Sequence, residues 1–574
     1  MKFLIYFFLL ATSFAFFASG KDALDWWQTT VLYQVYPRSF KDSDGNGVGD
    51  LKGITQKLDH LKDAGIGALW LSPIFTSPGV DFGYDISNYT QIDPLFGTIE
   101  DLRELKSAAE KLGLKLLLDL VPNHVSNESE WFKKSVQKID PYTDYFVWVD
   151  PKKDENGTRQ PPNNWLSDFG GSAWEWREER QQYYLHQFAV QQADLNYRNK
   201  HVVQEIKDVM RYWLDQGMDG FRVDAVTFLF EDEQLRDEPL SGDPGAEPTD
   251  QSYLKHVYTQ NQPATFDMVQ QWRALLDEYS SKDHSTRVMF TEAYADLDNT
   301  FKYYGTKERP GAHFTFNFFV IEYIKNTSTA DDYENITSLW LKNIPAGDWP
   351  NWVVGNHDQH RVASRVGPGL VDAMNALALL MPGTAVTYNG EEIGMEDTFI
   401  SWNQTVDPQG LNAGPQRYQL FSRDPERTPF QWDNTTSAGF STSNTTWLPV
   451  NSNYKWLNLQ KQQEDEDSHY KVYKQLVQLR KTKTIQRGTT HTAAVTQQVF
   501  AFVRALDGEV TYIVAMNVGN SSATVDLTRS FSGLPATATV VVASVGSTLV
   551  RGTNQTTSAL TLAAKGFVAL EGRT

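Results

Sequence analysis

The sequence predicts a (β/α)8 TIM barrel with an inserted subdomain after strand 3 and a C-terminal antiparallel β-sandwich domain. Three observations predict it. Short apolar, β-rich runs alternate with helical patterns eight times between residues 31 and 388, as parallel strands under covering helices require. The stretch from His124 to about Ala193 is long, rich in Asn, Gly, Pro and Trp, and lacks a helical period, so it reads as an excursion between the third strand and its helix. After about Thr482 the texture changes to short alternating strands punctuated by Gly, Asn and Ser turns.

Taken in order, the chain opens with Met1, Lys2 and an apolar run over 3–17 that ends in Ala18, Ser19 and Gly20. A basic start, an apolar middle and a small-residue end read as a signal peptide over 1–20. The run is shorter than the roughly 20 residues that span a bilayer, so a secreted product without a membrane anchor is expected. Asn-x-Ser/Thr sequons at Asn88, Asn127, Asn156, Asn326, Asn335, Asn403, Asn434, Asn444, Asn520 and Asn554 fit N-glycans on such a product. The barrel is expected over 21–123 and 194–482, with an extra subdomain at about 390–460, the insertion over 124–193 and the sandwich over 483–574. Its strands fall at 31–36, 68–72, 114–121, 220–224, 288–292, 313–317, 352–355 and 385–388, with helices such as 99–112 and 200–216 between them.

Composition narrows the function classes. Aromatics make up 13% and charged residues 21% of 574 residues, which excludes an intrinsically disordered chain. The 52 basic side chains against 71 acidic ones give a net charge of −19, spread along the chain, which disfavours nucleic acid or an anionic membrane as a partner. A neutral small molecule fits better. With no cysteine, disulfides, thiolate nucleophiles and cysteine-ligated metals are excluded together.

In a parallel barrel the ligand site lies at the carboxyl ends of the strands, and several strands here end in polar groups. The third ends in Asp119, Asn123 and His124; the fourth carries Arg222 and Asp224; the fifth ends in Thr291 and Glu292; the seventh ends in Asn356, His357 and Asp358. Arg222 and Asp224, two apart on one strand, turn to the same face, where unpaired charge would cost several kcal/mol. They must serve each other or a ligand.

The segments 119–124, 220–224, 291–292 and 356–358, in this order, resemble the four signature regions of the α-amylase family, glycoside hydrolase family 13. The runs 33–40, 81–86 and 423–432 narrow the resemblance to the α-glucosidase and oligo-1,6-glucosidase branch, and within it the chain is most similar to secreted maltases of insects. The resemblance implies a retaining exo-α-glucosidase that releases terminal α-1,4-linked glucose from maltose, short malto-oligosaccharides and sucrose. It further implies Asp224 as the nucleophile, Glu292 as the general acid and base, and Asp358 as the third acid, which binds sugar hydroxyls. His124 and His357 would be neutral imidazole donors, Asp81 and Arg427 a pair gripping the terminal sugar, and Tyr84 a ring stacked on it. Arg222 would hold Asp224 ionised with a low pKa. Ala225, where α-1,6-specific relatives carry Val, implies α-1,4 preference.

The loop Asp42, Asp44, Asn46, Val48, Asp50 places oxygen donors at nearly every second position, with glycines between them, an array that hard cations favour. It resembles a calcium site of the same branch, in which Val48 would contribute its carbonyl; a structural Ca2+ is expected and no organic cofactor. Two other functions share much of this pattern. One is a transglycosylase or sucrose isomerase that passes the covalent intermediate to a sugar. The other is an inactive binding or transporter-partner homologue, against which the complete set Asp224, Glu292 and Asp358 argues.

Overall fold

The computed structural model describes residues 12–14 and 23–573. The leader expected over 1–20 therefore lies outside the described residues, apart from the backbone of Thr12–Phe14, which runs antiparallel to residues 490–492. Among the described residues no helix is long and apolar enough to cross a membrane.

Eight parallel strands form the central sheet: β1 (Val31–Val35), β2 (Ala68–Leu71), β3 (Lys115–Leu120), β4 (Gly220–Val223), β5 (Val288–Thr291), β6 (Phe314–Thr315), β7 (Asn351–Val353) and β8 (Thr384–Tyr388). Neighbours pair in sequence order from β1 to β6, and β1 pairs with β8, which pairs with β7. Both faces are covered, so the strands are mostly apolar and the two faces are sorted by parity. Leu32, Ala68, Trp70, Leu117, Val288 and Phe290 fill the barrel, while Val31, Tyr33, Leu69, Leu116 and Phe221 pack against the helices.

The sixth and seventh strands are shorter than the sequence suggests, and no backbone ladder joins them. A side chain closes that seam. Buried Asn351 donates from Nδ2 to the Thr315 carbonyl (2.6 Å) and accepts from the Asn317 amide at Oδ1 (2.8 Å). An amide can do both jobs because it carries donor and acceptor at one end.

The covering helices start where capping residues allow. Thr98 and Asp101 form a capping box ahead of Ile99–Lys111, and Asn199 caps Lys200–Asp215. After β3 the chain leaves the barrel through His124–Ser126 and returns through Gln192–Asp194, the two paired antiparallel as a neck. Between them a three-stranded sheet, Trp148–Val149, Trp174–Arg177 and Gln182–Leu185, packs its own small core of Trp165, Trp174 and Leu185. The C-terminal strands Thr489–Ala494, Val499–Ala505, Thr511–Asn517, Phe567–Gly572, Thr537–Ala543 and Asn554–Thr556 form an antiparallel sheet. Its alternation is two-sided: Val499, Ala501 and Val503 face the small sheet of Ala523–Val525 and Leu560–Leu562, while Phe500 and Phe502 join the barrel's outer core.

Candidate active site

The barrel ladder continues one residue past β4 and β5. The Asp224 amide donates to the Leu120 carbonyl and the Glu292 amide to the Val223 carbonyl, each at 2.9 Å. Both carboxylates thus leave the sheet at its carboxyl rim with fixed backbones. One strand turn lower, Asp119 of β3 and Arg222 of β4 are register partners on the barrel interior. Arg222 serves three acids: Nη1 reaches Asp119 (2.9 Å) and Asp224 (2.5 Å), and Nη2 reaches Glu292 (2.5 Å). Its guanidinium also lies over the Trp70 ring, 4.9 Å from the centroid. The second Glu292 oxygen accepts from the Ala225 amide at 2.9 Å. Ala225 holds a left-handed conformation, φ 45° and ψ 35°, which a residue with a Cβ adopts only at a cost of about 1–3 kcal/mol.

Asp224, Ala225 and Glu292 line a cavity of about 320 Å3 that also receives Asp81, Tyr84, His124, His357, Asp358 and Arg423. Arg222 and Arg427 lie behind its wall and act on it through the carboxylates. Tyr84 donates its hydroxyl to Asp119 (3.1 Å) and stacks its ring on His357, with centroids 5.3 Å apart and 13° between planes. His124 is buried with Nε2 3.2 Å from the Tyr84 carbonyl. Gln34 donates to Nδ1 of His357 (2.8 Å), which puts the ring proton on Nε2, 3.3 Å from Asp358. Burial drives both imidazoles to the neutral form, His124 down to about 3 and His357 well below its usual value.

The carboxyls outnumber the guanidiniums, and their proton affinities follow. Burial raises Glu292 to about 8 and Asp224 and Asp119 to about 7; Arg222 opposes this in all three, while Asp224 and Asp358 push Glu292 up and Asp119 pushes Asp224 up. Arg222 does lower the Asp224 carboxyl, as expected, but burial outweighs it, and the Asp119 and Asp358 charges add to the rise. Asp358 goes the other way. Burial alone would raise it, but His357, Arg427, Arg423 and Arg222 pull it below the carboxylate range. Since burial keeps His357 neutral, the guanidiniums carry that pull.

The expected partnership of Asp81 with Arg427 takes another form. Asp81 pairs with Arg423 (2.8 Å), which also holds Asp407 (2.6 Å) and Asp358 (3.3 Å). Arg427 binds Asp358 (2.6 Å) and the His357 carbonyl (2.7 Å), positioning the acid from behind. Arg423 and Arg427 are four residues apart in the same irregular run, so spacing alone could not choose between them. Asp168, raised to about 6 by burial, also lines the cavity from the insertion together with Phe188, and Tyr294 and Gln409 line it from the segments after β5 and β8. These come from loops without periodicity, and the sequence carries no signal for them.

In the loop after β1, Asp42, Asp44 and Asp50 each bring a carboxylate oxygen within 4.8 Å of the others. Gly45 (φ +84°) and Gly47 (φ +91°) make the turns; a Cβ on Gly47 would stand 2.4 Å from the Thr445 carbonyl oxygen. Burial opposes ionisation of Asp42, but the Ser441 hydroxyl and the Gly47, Gly45 and Asp44 amides hold it below its usual range. Asn46 and Val48 bridge the turn through the Asn46 Oδ1 to Val48 amide bond (2.8 Å). Three carboxylates side by side are a donor set suited to a hard cation.

The α-amylase catalytic-domain family matches residues 34–488. Maltase 1 of Drosophila virilis is 51% identical over 527 residues, covering 91% of this chain and 83% of that protein. The salivary alpha-glucosidase of Anopheles gambiae is 49% identical over 513 residues, covering 89% and 86%. Among solved structures, the alpha-glucosyl transfer enzyme XgtA superposes with a TM-score of 0.84 at 35% identity, over 96% of this chain and 100% of that one. With the match spanning the barrel and every rim residue described above, the chain belongs to the α-amylase family.

Proposed function

We propose that the protein is a retaining exo-acting α-glucosidase of the maltase type. The observation that carries this reading is the placement of Asp224 and Glu292 on adjacent nitrogens of one guanidinium, at the wall of a cavity lined by Asp81, Asp358 and Arg423. Glu292, the carboxyl with the highest proton affinity of the three around Arg222, protonates the glycosidic oxygen as the bond breaks. Asp224 attacks the anomeric carbon and forms a glucosyl ester. Glu292, now ionised, takes a proton from water, which opens the ester and returns glucose in the α configuration. Asp358, kept ionised by its guanidiniums, and the neutral His124 and His357 bind the hydroxyls of the reacting sugar. Asp81 with Arg423 and Arg427 fixes the far end of that sugar, Tyr84 supplies an apolar wall, and Ala225 sets α-1,4 preference.

The barrel of 21–123 and 194–482, the insertion of 124–193 and the sandwich of 483–574 form the three domains, with Ca2+ bound by Asp42, Asp44, Asn46, the Val48 carbonyl and Asp50 as a staple on the first loop. Secretion with N-glycans accords with the leader sequence, with the salivary relative and with the sequons, all of which except Asn127 are exposed. Incubation with maltose, isomaltose and sucrose, followed by anomer-resolved NMR, tests the reading. α-Glucose as first product with maltose preferred is expected. β-Glucose, isomerised sucrose, longer sugars as the main product or no turnover would each overturn it.

A further inference from the structure

Outside the cavity lining, three metal-ligand side chains converge from three loops. His360 lies two residues past Asp358 after β7, Asp397 lies in the segment after β8, and Glu426 precedes Arg427. One ligand atom from each lies within 4.8 Å of the others. His360 Nδ1 is 2.8 Å from Asp397 Oδ2 and 3.7 Å from Glu426 Oε2. A tetrahedral zinc-like ion with bonds of about 2.0–2.2 Å spaces its ligands about 3.4 Å apart, a value these two distances bracket.

Glu426 is 1% exposed, and its Oε2 has no hydrogen-bond partner. A buried carboxylate oxygen left in that state is costly unless something positive meets it. Asp397 is already placed: its other oxygen accepts from the Arg361 amide (2.8 Å), and its carbonyl accepts from Asn451 (3.0 Å). The His360 side chain is 52% exposed, which gives an ion a way in and leaves room for water as a further ligand.

The geometry points to a second cation site at His360, Asp397 and Glu426, which takes a zinc-like divalent transition ion through one imidazole nitrogen and two carboxylate oxygens. It differs in chemistry from the all-oxygen loop of Asp42, Asp44 and Asp50 and does not depend on the reaction assigned to the cavity. On binding, His360 Nδ1 gives up the proton it shares with Asp397 to solvent and keeps a hydrogen on Nε2. The ion ties together the loops that carry Asp358 and Arg427, so it stiffens the pocket from behind.

The test uses the untagged full-length protein, stripped of metal with a chelator and titrated with Zn2+ by calorimetry and with Co2+ by visible absorption. One Zn2+ bound per chain at this site and a raised thermal transition are expected in the parent protein and in Asp42→Asn. His360→Ala and Glu426→Gln should bind Zn2+ at least tenfold more weakly, and His360→Ala should lose the Co2+ absorption while keeping the metal-free thermal transition of the parent. Equal Zn2+ affinity in the parent and both variants, or no uptake by the parent, would overturn the proposal.

Discussion

At the carboxyl rim of the barrel Arg222, Arg423 and Arg427 are buried among carboxylates, whereas at the joint between barrel and C-terminal sheet Arg480 and Arg504 are buried among carbonyl oxygens. Arg480 donates to the carbonyls of Thr30 (3.2 Å), Leu379 (3.1 Å) and Gly383 (2.6 Å). Arg504 donates to those of Leu380 (2.6 Å), Ile485 (2.6 Å) and Gly488 (3.1 Å). Leu379 and Leu380 end the helix Val371–Leu380, where unpaired carbonyls and the negative end of the helix dipole collect. Burial lowers Arg504 to about 9 and Arg480 to about 10; the Tyr473 hydroxyl opposes it at Arg480, and no carboxylate does at either. Cations held by carbonyls make a fixed joint with no acidic proton to move. Cations divided among surplus acids leave carboxyl protons that can move near neutral pH, and catalysis requires such protons.

The largest effect should come from Asp224→Asn, which removes one acid from the rim. Turnover of maltose should fall by about four orders of magnitude. The native acids that bind protons up to about 7 and 8 hold more protons than the unfolded chain does, so they weaken the fold as pH rises from about 4 through that range. The variant's thermal transition, followed by calorimetry, should therefore decline less with pH than the parent's. A variant that keeps more than about a hundredth of the turnover would break the comparison.

Next in size is Arg504→Met, which leaves the Leu380, Ile485 and Gly488 carbonyls without their donor. A loss of about 3 kcal/mol in unfolding free energy is expected, with kcat/KM per folded molecule unchanged. A fall in kcat/KM at constant stability would show that the joint takes part in the site. A smaller shift is expected from Asp119→Asn. Asp224 must be ionised to attack, so kcat/KM falls as pH drops through about 7, and Glu292 must be protonated, so it falls again above about 8. Removing the Asp119 charge should move the acid limb to lower pH, by roughly one unit. An unmoved limb would mean that Asp119 does not share the proton.

The smallest effect concerns Ala225. At φ 45° a β-branched side chain is disfavoured, so Ala225→Val should cost about 1–2 kcal/mol while shifting preference toward isomaltose. Unchanged stability would show that the left-handed turn relaxes, and an unchanged maltose-to-isomaltose ratio would remove Ala225 from the specificity assignment.

Much of the rim was readable because strand parity and strand ends are local properties. Arg222 and Asp224, two apart, had to share a face, and Glu292 and Asp358 had to emerge where β5 and β7 run out. The pairing of Asp81 was not readable, since Arg423 and Arg427 are equivalent in composition and differ only in where a loop of irregular backbone sets them. The proton balance was not readable either. An Arg close to an Asp in sequence suggests a depressed acid, and only burial in the folded barrel, with the Asp119 and Asp358 charges brought beside it, reverses the sign.

The sequence by itself determined the alternation of strands and helices, the excursion after β3 and the identity of the acids at the strand ends, because apolar periodicity and turn chemistry act over a few residues. Tertiary structure alone decided how many acids each guanidinium serves, that Asn351 closes the barrel between β6 and β7, and that Glu426 is buried beside His360 and Asp397. Those outcomes depend on which distant segments share a low-dielectric space, and the electrostatic energy of a buried group is set by that company and not by its neighbours in the chain.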